Sequence, residues 1–305
     1  MCAPPEPAWS VVQVTPQSPT ALDSLSDWWT SRPLRWALVI VVAQDGPDRW
    51  TAMRGPQAAG RLRVLVRPDS RTCLYLRDVA DDAYAPLLDA VLRVRGEDLY
   101  VEIDEAAAQV RDLLAARGFV VQRREHHYRL PTRPSETGSA RAGSGPAPAG
   151  FGFVSAADCD VDRLRELDDA LRQDVPGAAG WRNDPLEFVD RTFGDPEFDP
   201  ATYLIAADES TGDYVGLLRV WIRPQVSRLG LIGVLPAYRR RGLADALLAR
   251  VFGVLSARGQ IEVDCEVDET NVASNALMIG RGARRVGGTV ELCRPAAGSA
   301  QAVLP

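Results

Sequence analysis

Hydrophobic positions in the second half of the chain alternate between helical and strand spacing. Leucines recur at helical intervals over 160–174 and predict a helix. A second helix is predicted over 184–194, where Asp184 stands at the cap and Pro185 in the first turn. Strand-like runs lie at 151–156, 202–208, 214–222, 226–234, 261–268 and 284–293, and helical patterns return at 243–258 and 271–282. The order βααβββαβαβ predicts an α/β domain with a mixed sheet.

The first half of the chain repeats part of this order. Residues 87–119 again show a helical pattern, a strand, a second helical pattern and a glycine. Such self-similarity predicts an internal duplication. At an offset of 164 residues (268 minus 104), the matched positions are Asp104 with Asp268, Glu105 with Glu269, Glu102 with Glu266, and Gly118 with Gly282.

A segment between the two halves has a different composition. Residues 131–149 are rich in Pro, Gly, Ser and Ala and contain almost no large apolar side chains. Because such a segment cannot bury a core, we interpret it as a flexible linker. The chain then divides into a first domain over 1–130 and a second domain over 150–305.

Composition is typical of a soluble globular protein, with 46% hydrophobic and 25% charged residues. A net charge of −6 argues against a general nucleic-acid or membrane-surface binder. All 35 basic residues are arginine, which excludes a catalytic lysine.

Cysteine usage and the N-terminus predict a cytoplasmic location. The five cysteines are dispersed without CxxC spacing, as expected of reduced thiols rather than of a disulfide framework or a zinc site. The N-terminus has neither the basic start nor the apolar core of a signal peptide. The longest apolar run, 36–43, is too short to span a membrane and predicts a buried strand.

An arginine-rich turn before a predicted helix carries the clearest chemical signal. Arg239, Arg240 and Arg241 precede Gly242, and the helix starts at Leu243. A helix N-terminus leaves N–H groups unpaired and favours anions, above all phosphates. Gly242 permits close backbone approach, and the arginines add forked donors. The turn therefore suits a pyrophosphate, although it matches neither the P-loop nor the dinucleotide fingerprint.

The run 234–244, with Pro236, the three arginines and Gly242, resembles the acetyl-CoA-binding signature of the GNAT family of N-acetyltransferases. Family members share the predicted element order and have an Asn after the next strand, as Asn271 is here. The resemblance covers 151–294 fully and the first half in its later part, as in tandem members. It implies two GNAT-like domains, each a mixed, mostly antiparallel twisted sheet flanked by helices. It also implies acetyl-CoA contacts from Ile232, Gly233, Val234, Arg239, Arg240, Arg241, Gly242, Leu243, Ala244, Asp245 and Asn271.

The first half lacks the arginine-rich turn. The corresponding stretch, 78–91, has neither arginine nor glycine and carries Asp81 and Asp82, which would repel a pyrophosphate. We predict that the first half keeps the fold without the cofactor and completes the acceptor pocket or covers a sheet edge.

Acetyl transfer to an amine requires a proton acceptor, because an alkyl ammonium has a pKa of about 10. The resemblance implies Glu266, five residues before Asn271, as this base. Asp264 and Asp268 on the same strand are weaker candidates. On a strand, Asp264, Glu266 and Asp268 share one face, where they would raise each other's pKa and attract a cationic amine. The alternative is a solvated acidic face, or carboxylates paired with nearby arginines.

One position departs from the family pattern. Many members have a Tyr seven residues after the Asn, which protonates the departing thiolate, and this chain has Met278 there. Thiols have a pKa of about 8.5, so the acid is dispensable, or Tyr203, Tyr214 or Tyr238 could replace it. Backbone N–H groups of 232–235 would hold the oxyanion, as the resemblance implies.

One aromatic side chain, Trp181, is a further candidate for the acceptor pocket. Trp181 lies in the loop between the first two helices of the second half, which borders the acceptor pocket in the family. His126 and His127 are adjacent on a predicted strand and point to opposite faces, so we expect no metal site.

We predict an acetyl-CoA-dependent N-acetyltransferase whose acceptor is a primary amine of a small molecule. One alternative is acetylation of a protein N-terminus or side chain, which the position of Glu266 supports. Another is an acyl-CoA-sensing regulatory protein without turnover, which Met278 suggests. Neither nucleic acid nor membrane is an expected partner, and a homo-oligomer remains open.

Overall fold

The structure, a computed structural model, describes residues 12–14, 40–133 and 147–296 of the 305-residue chain. The predicted linker at 131–149 therefore lies mostly outside the described residues. The same holds for the first part of the apolar run 36–43.

Within the described residues, the elements of the second half occupy the predicted positions. The strands are β1 (Val12–Val14), β2 (Ile40–Gln44), β3 (Arg49–Arg54), β4 (Gln57–Val66), β5 (Thr72–Arg77), β6 (Leu99–Asp104), β7 (Val120–Pro131), β8 (Phe151–Ser155), β9 (Tyr203–Asp208), β10 (Tyr214–Trp221), β11 (Ser227–Val234), β12 (Glu262–Asp268) and β13 (Arg284–Arg294). The helices are α1 (Tyr84–Leu92), α2 (Ala108–Ala115), α3 (Val161–Arg172), α4 (Pro185–Phe193), α5 (Leu243–Ala257) and α6 (Val272–Gly280). None of these described helices is long and apolar enough to cross a membrane.

All thirteen strands form one sheet, in the order β1-β2-β3-β4-β5-β6-β13-β7-β12-β11-β10-β9-β8. The pairs β1–β2, β5–β6 and β11–β12 are parallel, and the other pairs are antiparallel. The predicted α/β fold with a mixed, mostly antiparallel sheet is confirmed. The two halves share this sheet, because hydrogen bonds continue from one half into the other.

The two halves exchange strands at the centre of the sheet. Strand β7 of the first half lies between β12 and β13 of the second, and β13 lies between β6 and β7. In this arrangement Asp268 is paired with Glu125, and Asp104 is paired with Thr289. Asp268 lies 164 residues after Asp104, and Thr289 lies 164 residues after Glu125. A pseudo-twofold axis through the Glu125–Thr289 pair therefore relates the two halves.

The turns that follow β6 and β12 are also equivalent. The Asp104 carboxylate accepts a hydrogen bond from the Ala106 N–H at 2.8 Å. The Asp268 carboxylate accepts one from the Thr270 N–H, also at 2.8 Å. Each turn leads into a short helix, α2 or α6. This geometry confirms the internal duplication predicted from the sequence.

Gly288 is tightly packed at the strand exchange. A Cβ atom there would lie 2.6 Å from the Glu125 carbonyl oxygen and 2.6 Å from Glu105 Oε2. We expect Gly288→Ala to lower the free energy of unfolding by ~1–3 kcal/mol, because the sheet has no room for the methyl group. Calorimetric unfolding measures the loss. Gly287→Ala is the matched control, since nothing lies within 4 Å of a Cβ there; equal losses in both variants would contradict the packing argument.

The two faces of the central sheet differ in character. One face carries apolar side chains that pack against α1, α2, α5 and α6. On the other face, Glu102, Glu291 and Arg123 stand opposite one another on β6, β13 and β7. Helices α3 and α4 pack on this second face within the second half. In the first half, the described strands β2 and β3 form a direct hairpin with no helices between them.

Candidate active site

The turn between β11 and α5 exposes the start of a helix. Arg240 has φ 63° and Gly242 has φ 80°, both in the left-handed region that favours glycine. Gly242 is the cap residue of α5, and no side chain of the described residues caps the first-turn N–H groups. These N–H groups and the positive end of the helix dipole make the turn suited to an anion.

The arginines of this turn have different surroundings. Arg239 donates from Nε to the Val234 carbonyl oxygen at 2.9 Å and forms an ion pair with Asp174. The guanidinium carbon of Arg241 lies 5.3 Å from the centroid of the Tyr238 ring. Arg239 therefore fixes the turn against β11, whereas Arg241 places its charge over an aromatic ring beside the helix start.

Two other predicted cofactor contacts lie at helix N-termini. Asp245, in the first turn of α5, accepts a hydrogen bond from Arg281 Nε at 2.9 Å. Asn271 caps α6, and its Oδ1 accepts a hydrogen bond from the Ser274 N–H at 3.0 Å. The Asp245–Arg281 pair therefore joins the first turn of α5 to the end of α6, where Arg281 is the cap residue.

Strands β11 and β12 separate soon after they begin. β11 continues to Val234 and β12 to Asp268. A gap therefore opens between the carboxyl-terminal parts of the two strands. The residue pairs that join them are Ser227 with Val263 and Arg228 with Asp264.

Backbone donors of β11 line this gap. The Leu235 N–H binds the Val215 carbonyl of β10 at 2.8 Å. Since successive N–H groups of a strand alternate in direction, those of Ile232 and Val234 point away from β10 and towards the gap. An N–H group that points into the gap can donate to an oxygen atom placed opposite it and stabilise negative charge on that atom.

Glu266 lies on β12 and forms an ion pair with Arg228 of β11. Arg228 Nε is 2.9 Å and Nη2 is 2.8 Å from Glu266 Oε2. Burial acts to lower the pKa of Arg228, but the carboxylates of Glu266, Glu125 and Glu197 together outweigh it and the pKa is raised. The Glu266 side chain is 29% exposed, so solvent reaches a carboxylate that a fixed cation holds in place.

The neighbouring carboxylates on β12 are also paired. Asp264 accepts from Arg129 Nε at 2.7 Å, and Asp268 Oδ2 lies 3.9 Å from Arg123. The acidic face of β12 thus has the arginine-paired arrangement that the sequence left as an alternative. Both arginines come from β7, the strand contributed by the first half.

Comparisons with known proteins agree with this geometry. The family model described as "Acetyltransferase (GNAT) family" matches residues 164–282. A mycothiol acetyltransferase from Clavibacter michiganensis is 32% identical over 243 residues, which cover 79% of this chain and 74% of the relative. The chain belongs to the GNAT acetyltransferase family. As a member of that family it is an N-acetyltransferase, as the sequence predicts.

Solved structures share the fold of this GNAT protein over both halves. A GCN5-related N-acetyltransferase from Sphaerobacter thermophilus aligns with a TM-score of 0.61, covering 91% of this chain and 87% of that chain at 20% identity. A tandem GNAT protein from the clavulanic acid biosynthesis pathway aligns with a TM-score of 0.60, covering 90% and 89% at 16% identity. These alignments confirm the tandem GNAT architecture.

The position of the usual GNAT tyrosine holds a buried side chain. Met278 is 1% exposed, within the core under α5 and α6. Of the three suggested substitutes, Tyr203 is also buried, and burial raises its pKa. Tyr214 accepts a hydrogen bond from a backbone N–H before α3, and Tyr238 packs edge-on against an aromatic ring. Tyr203, Tyr214 and Tyr238 therefore each make structural contacts, and each lies outside α6, the helix that carries Met278.

A polar network that the sequence did not reveal joins the exchanged strand to α6. Tyr128 donates to Asn275 Oδ1 at 2.8 Å, and His126 Nδ1 lies 3.2 Å from the Tyr128 hydroxyl. The alternation of His126 and Tyr128 along β7 was the available signal, but their partner lies 147 residues away from Tyr128. Among the described residues, no group of three or more His, Cys, Asp or Glu is arranged to hold a metal ion.

Trp181 lines a cleft of about 130 Å³ bounded by α3, α4 and β10. The guanidinium carbon of Arg172 lies 4.4 Å from the centroid of its ring, and Asn183 accepts from its Nε1 at 3.0 Å. Pro68, in the β4–β5 turn of the first half, also lines the cleft. Its carbonyl accepts from the Arg182 N–H at 3.4 Å. The first half therefore contributes to the wall of the cleft.

A buried carboxylate behind the cleft joins two arginines. Asp168 has no exposed surface, and it accepts from Arg172 Nε at 2.5 Å and from Arg219 Nη1 at 3.3 Å. Burial acts to raise the pKa of Asp168, but Arg219 and Arg172 outweigh it, and the pKa is lowered. Sequence reasoning missed this group, although a charged residue in the middle of an apolar strand, as Arg219 is, was a usable signal.

We expect Asp168→Asn to destabilise the fold by ~3–5 kcal/mol at neutral pH, because it leaves Arg219 buried without its carboxylate. The folded pKa of Asp168 is lowered, so its contribution is complete above the ordinary value of 3.8 and is lost as the pH falls through the folded value. The difference in urea midpoint between wild type and variant should therefore narrow below about pH 4.

Asp162→Asn is the matched control for this prediction. Asp162 lies on the same helix, and its side chain is 83% exposed. Its replacement should change the urea midpoint little at any pH. A difference for Asp168→Asn that stays constant with pH would contradict the assigned cause.

Proposed function

We propose that this GNAT transfers an acetyl group from acetyl-CoA to a primary amine of a small molecule by direct attack on the thioester. The observation that carries the proposal is the gap between β11 and β12. It places the N–H groups of Ile232 and Val234 on one side and the strand bearing Glu266 on the other. An oxyanion site and a proton acceptor across one gap are what acyl transfer to an amine needs.

The proposed cofactor site follows from the helix starts at this end of the sheet. The pyrophosphate would lie at the N-terminus of α5, with Arg241 and Gly242 beside it. The first-turn N–H groups, which no side chain of the described residues caps, and the left-handed Gly242 fit such a group. We propose the following cofactor contacts: Ile232, Gly233, Val234, Arg239, Arg240, Arg241, Gly242, Leu243, Ala244, Asp245 and Asn271.

Glu266 is the proposed general base, and Asp264 is the weaker candidate because it is bound to Arg129 further from the gap. As the amine nitrogen bonds to the carbonyl carbon, the carbon–sulfur bond breaks, and the amine proton passes to Glu266 directly or through one water. The N–H group of Ile232 or of Val234 stabilises the charge on the carbonyl oxygen. The CoA thiolate leaves without a tyrosine donor, since thiols have a pKa of about 8.5.

We propose that the second domain, 150–305, alone binds acetyl-CoA, and that the first, 1–130, supports the acceptor side across the 131–149 linker. In the first half, the turn before α1 carries Asp81 and Asp82, and Asp82 forms an ion pair with Arg54. Two carboxylates at this turn disfavour a pyrophosphate. We further propose a cytoplasmic enzyme that acts without nucleic acid, membrane or metal, and a homo-oligomer is compatible with this site.

The acceptor is best sought among small amines. The relative from Clavibacter michiganensis is named a mycothiol acetyltransferase, so amines related to mycothiol are the first to test. Acetylation of a protein N-terminus or side chain is a broader alternative for the same site.

An acyl-CoA sensor without turnover is the second candidate function. Two features favour it. The candidate base, Glu266, is engaged in an ion pair with Arg228, and the buried Met278 stands where the usual acid would be.

Calorimetric titration of acetyl-CoA, followed by amine-dependent release of free CoA thiol, separates these functions. We expect micromolar binding together with CoA release. Binding without release for any small amine or N-terminal peptide would select the sensor. No binding of acetyl-CoA would overturn both proposals.

A further inference from the structure

The cleft beside Trp181 is built around guanidinium groups. We call it the α3–α4 cleft; its wall includes Pro68, Arg172, Trp181, Asn183, Arg219 and Trp221. The Arg219 side chain is 8% exposed and lies 5.0 Å, measured from its guanidinium carbon, from the centroid of the Trp221 ring. Arg172 is stacked on Trp181 in the same way. Two stacked cations thus line one small cleft.

Positive charge exceeds negative charge in the inner part of the cleft. Arg172 and Arg219 share a single carboxylate, that of Asp168. The adjacent Asp169 lies 3.6 Å from Arg165 and accepts from the Asn183 backbone N–H at 2.9 Å, so its charge is matched elsewhere. One guanidinium charge therefore lacks a counter-charge in a partly desolvated place, where an unmatched charge is costly.

The carboxylates at the rim of the cleft are engaged. Asp184 caps α4 and accepts from the N–H groups of Leu186 and Glu187 at 2.9 and 3.0 Å. The Glu187 carboxylate forms an ion pair with Arg191 at 2.9 Å. Both rim carboxylates therefore have partners of their own on α4.

One hydrogen-bond donor in the cleft wall also has no partner. Arg219 Nε is buried and, among the described residues, has no hydrogen-bond partner. Buried polar groups without partners are rare and indicate a ligand or water that supplies the missing bond. Here the missing partner is a hydrogen-bond acceptor.

The cleft adjoins the proposed acetyl-transfer gap. Arg219 of β10 is paired with Leu231 of β11, the residue before Ile232. The pairing shifts between Arg219 and the next residue, where Gly230 forms a bulge. A Cβ at Gly230 would lie 2.7 Å from Trp221 Nε1, so the bulge glycine leaves the space that the indole occupies. A molecule with its amine at the gap can therefore reach the cleft with its other end.

We propose that the α3–α4 cleft binds an anionic group, carboxylate or phosphate, on the non-reacting end of the acceptor, so that the preferred substrates are amines that also carry a negative charge. This inference rests on the proposed function and names its substrate class. Arg172 and Arg219 bind the anion, and Trp181 and Trp221 hold the two guanidinium groups in position.

Binding of three matched small amines tests the inference without requiring turnover. The probes are 3-aminopropanoate, 2-aminoethyl phosphate and the neutral 3-aminopropanamide, each titrated into the full chain with tryptophan fluorescence as the readout. Trp181→Phe assigns the signal to the cleft. We expect at least one anionic probe to bind ~10-fold or more tightly than the amide, and the tighter of the two identifies carboxylate or phosphate.

Substitutions at position 172 locate the binding site. Arg172→Gln should remove the preference for the anion, and Arg172→Lys should retain part of it. Because Asp168 keeps Arg219 as a partner, Arg172→Gln should remain folded, which its thermal unfolding checks. Arg163→Gln, on the same helix but outside the cleft wall, should leave the preference unchanged. Equal binding of the amide, or a preference that survives Arg172→Gln, would overturn the inference.

Acetylation of the same probes separates this inference from the proposed function. Anion binding without acetylation of any amine would contradict the proposed function and leave the anion site standing. Acetylation with no preference for the anionic probes would contradict the anion site and leave the acetyltransferase standing.

Discussion

Replacing Glu266 with glutamine should lower the kcat of acetyl transfer by ~100- to 10,000-fold, the range over which a positioned general base contributes. Glutamine keeps the size of the side chain but cannot accept the amine proton. The dissociation constant of acetyl-CoA should stay within about twofold, because Glu266 is proposed to act on the amine. CoA release followed with a thiol reagent measures the rate, and calorimetry measures the affinity.

A second variant separates the base from the ion pair. Arg228→Gln breaks the same pair but leaves the carboxylate in place, so it should retain far more activity than Glu266→Gln. Glu262→Gln is a further control, since Glu262 lies on the same strand and is bound to Arg284 at 3.3 Å. Equal loss of activity in Glu266→Gln and Arg228→Gln would mean that the pair is structural and that another group accepts the proton.

Gly242→Asp should raise the dissociation constant of acetyl-CoA by ~100-fold or more. A carboxylate at the helix cap would occupy the N–H groups that the pyrophosphate needs. It would also repel the phosphates, since two like charges ~4 Å apart at an effective dielectric constant of ~20 cost about 4 kcal/mol. Titration calorimetry measures the change.

Gly259→Asp is the matched control at the other end of the same helix. Gly259 has φ 83°, close to the 80° of Gly242, and a Cβ at either position meets nothing within 4 Å. Both variants therefore carry similar backbone strain, but the helix dipole favours a carboxylate at the start of α5 and disfavours one at its end, so thermal stability should fall further in Gly259→Asp. Acetyl-CoA affinity should fall in Gly242→Asp alone. A comparable loss of affinity in Gly259→Asp would show that strain, and not the anion site, is responsible.

The elements of the second half were predictable because their signals are local. Helix α3 begins where Asp160 accepts a hydrogen bond from the Arg163 N–H at 3.1 Å, only three residues away. Helix α4 begins with the Asp184 cap and a proline, both visible in the sequence. Capping and periodicity involve neighbours along the chain, so they can be derived without knowledge of the tertiary fold.

The candidate base illustrates where such reasoning stops. The sequence places Glu266 on a strand and five residues before Asn271. It does not show that Arg228, 38 residues away, holds the carboxylate at 2.9 Å. That contact depends on which strands become neighbours, and strand order is decided by the packing of the whole sheet.

The sequence by itself determined the α/β class, the duplicated pattern, the glycine at the start of α5 and the carboxylate row on β12, because each is encoded within a few consecutive residues. Only the tertiary structure decided that the halves share one sheet, that β7 supplies arginine partners to β12, and that Arg172 and Arg219 share Asp168 in one cleft. These features join residues far apart in the chain. Their free energy comes from hydrogen bonds and ion pairs that form when the strands and helices pack together.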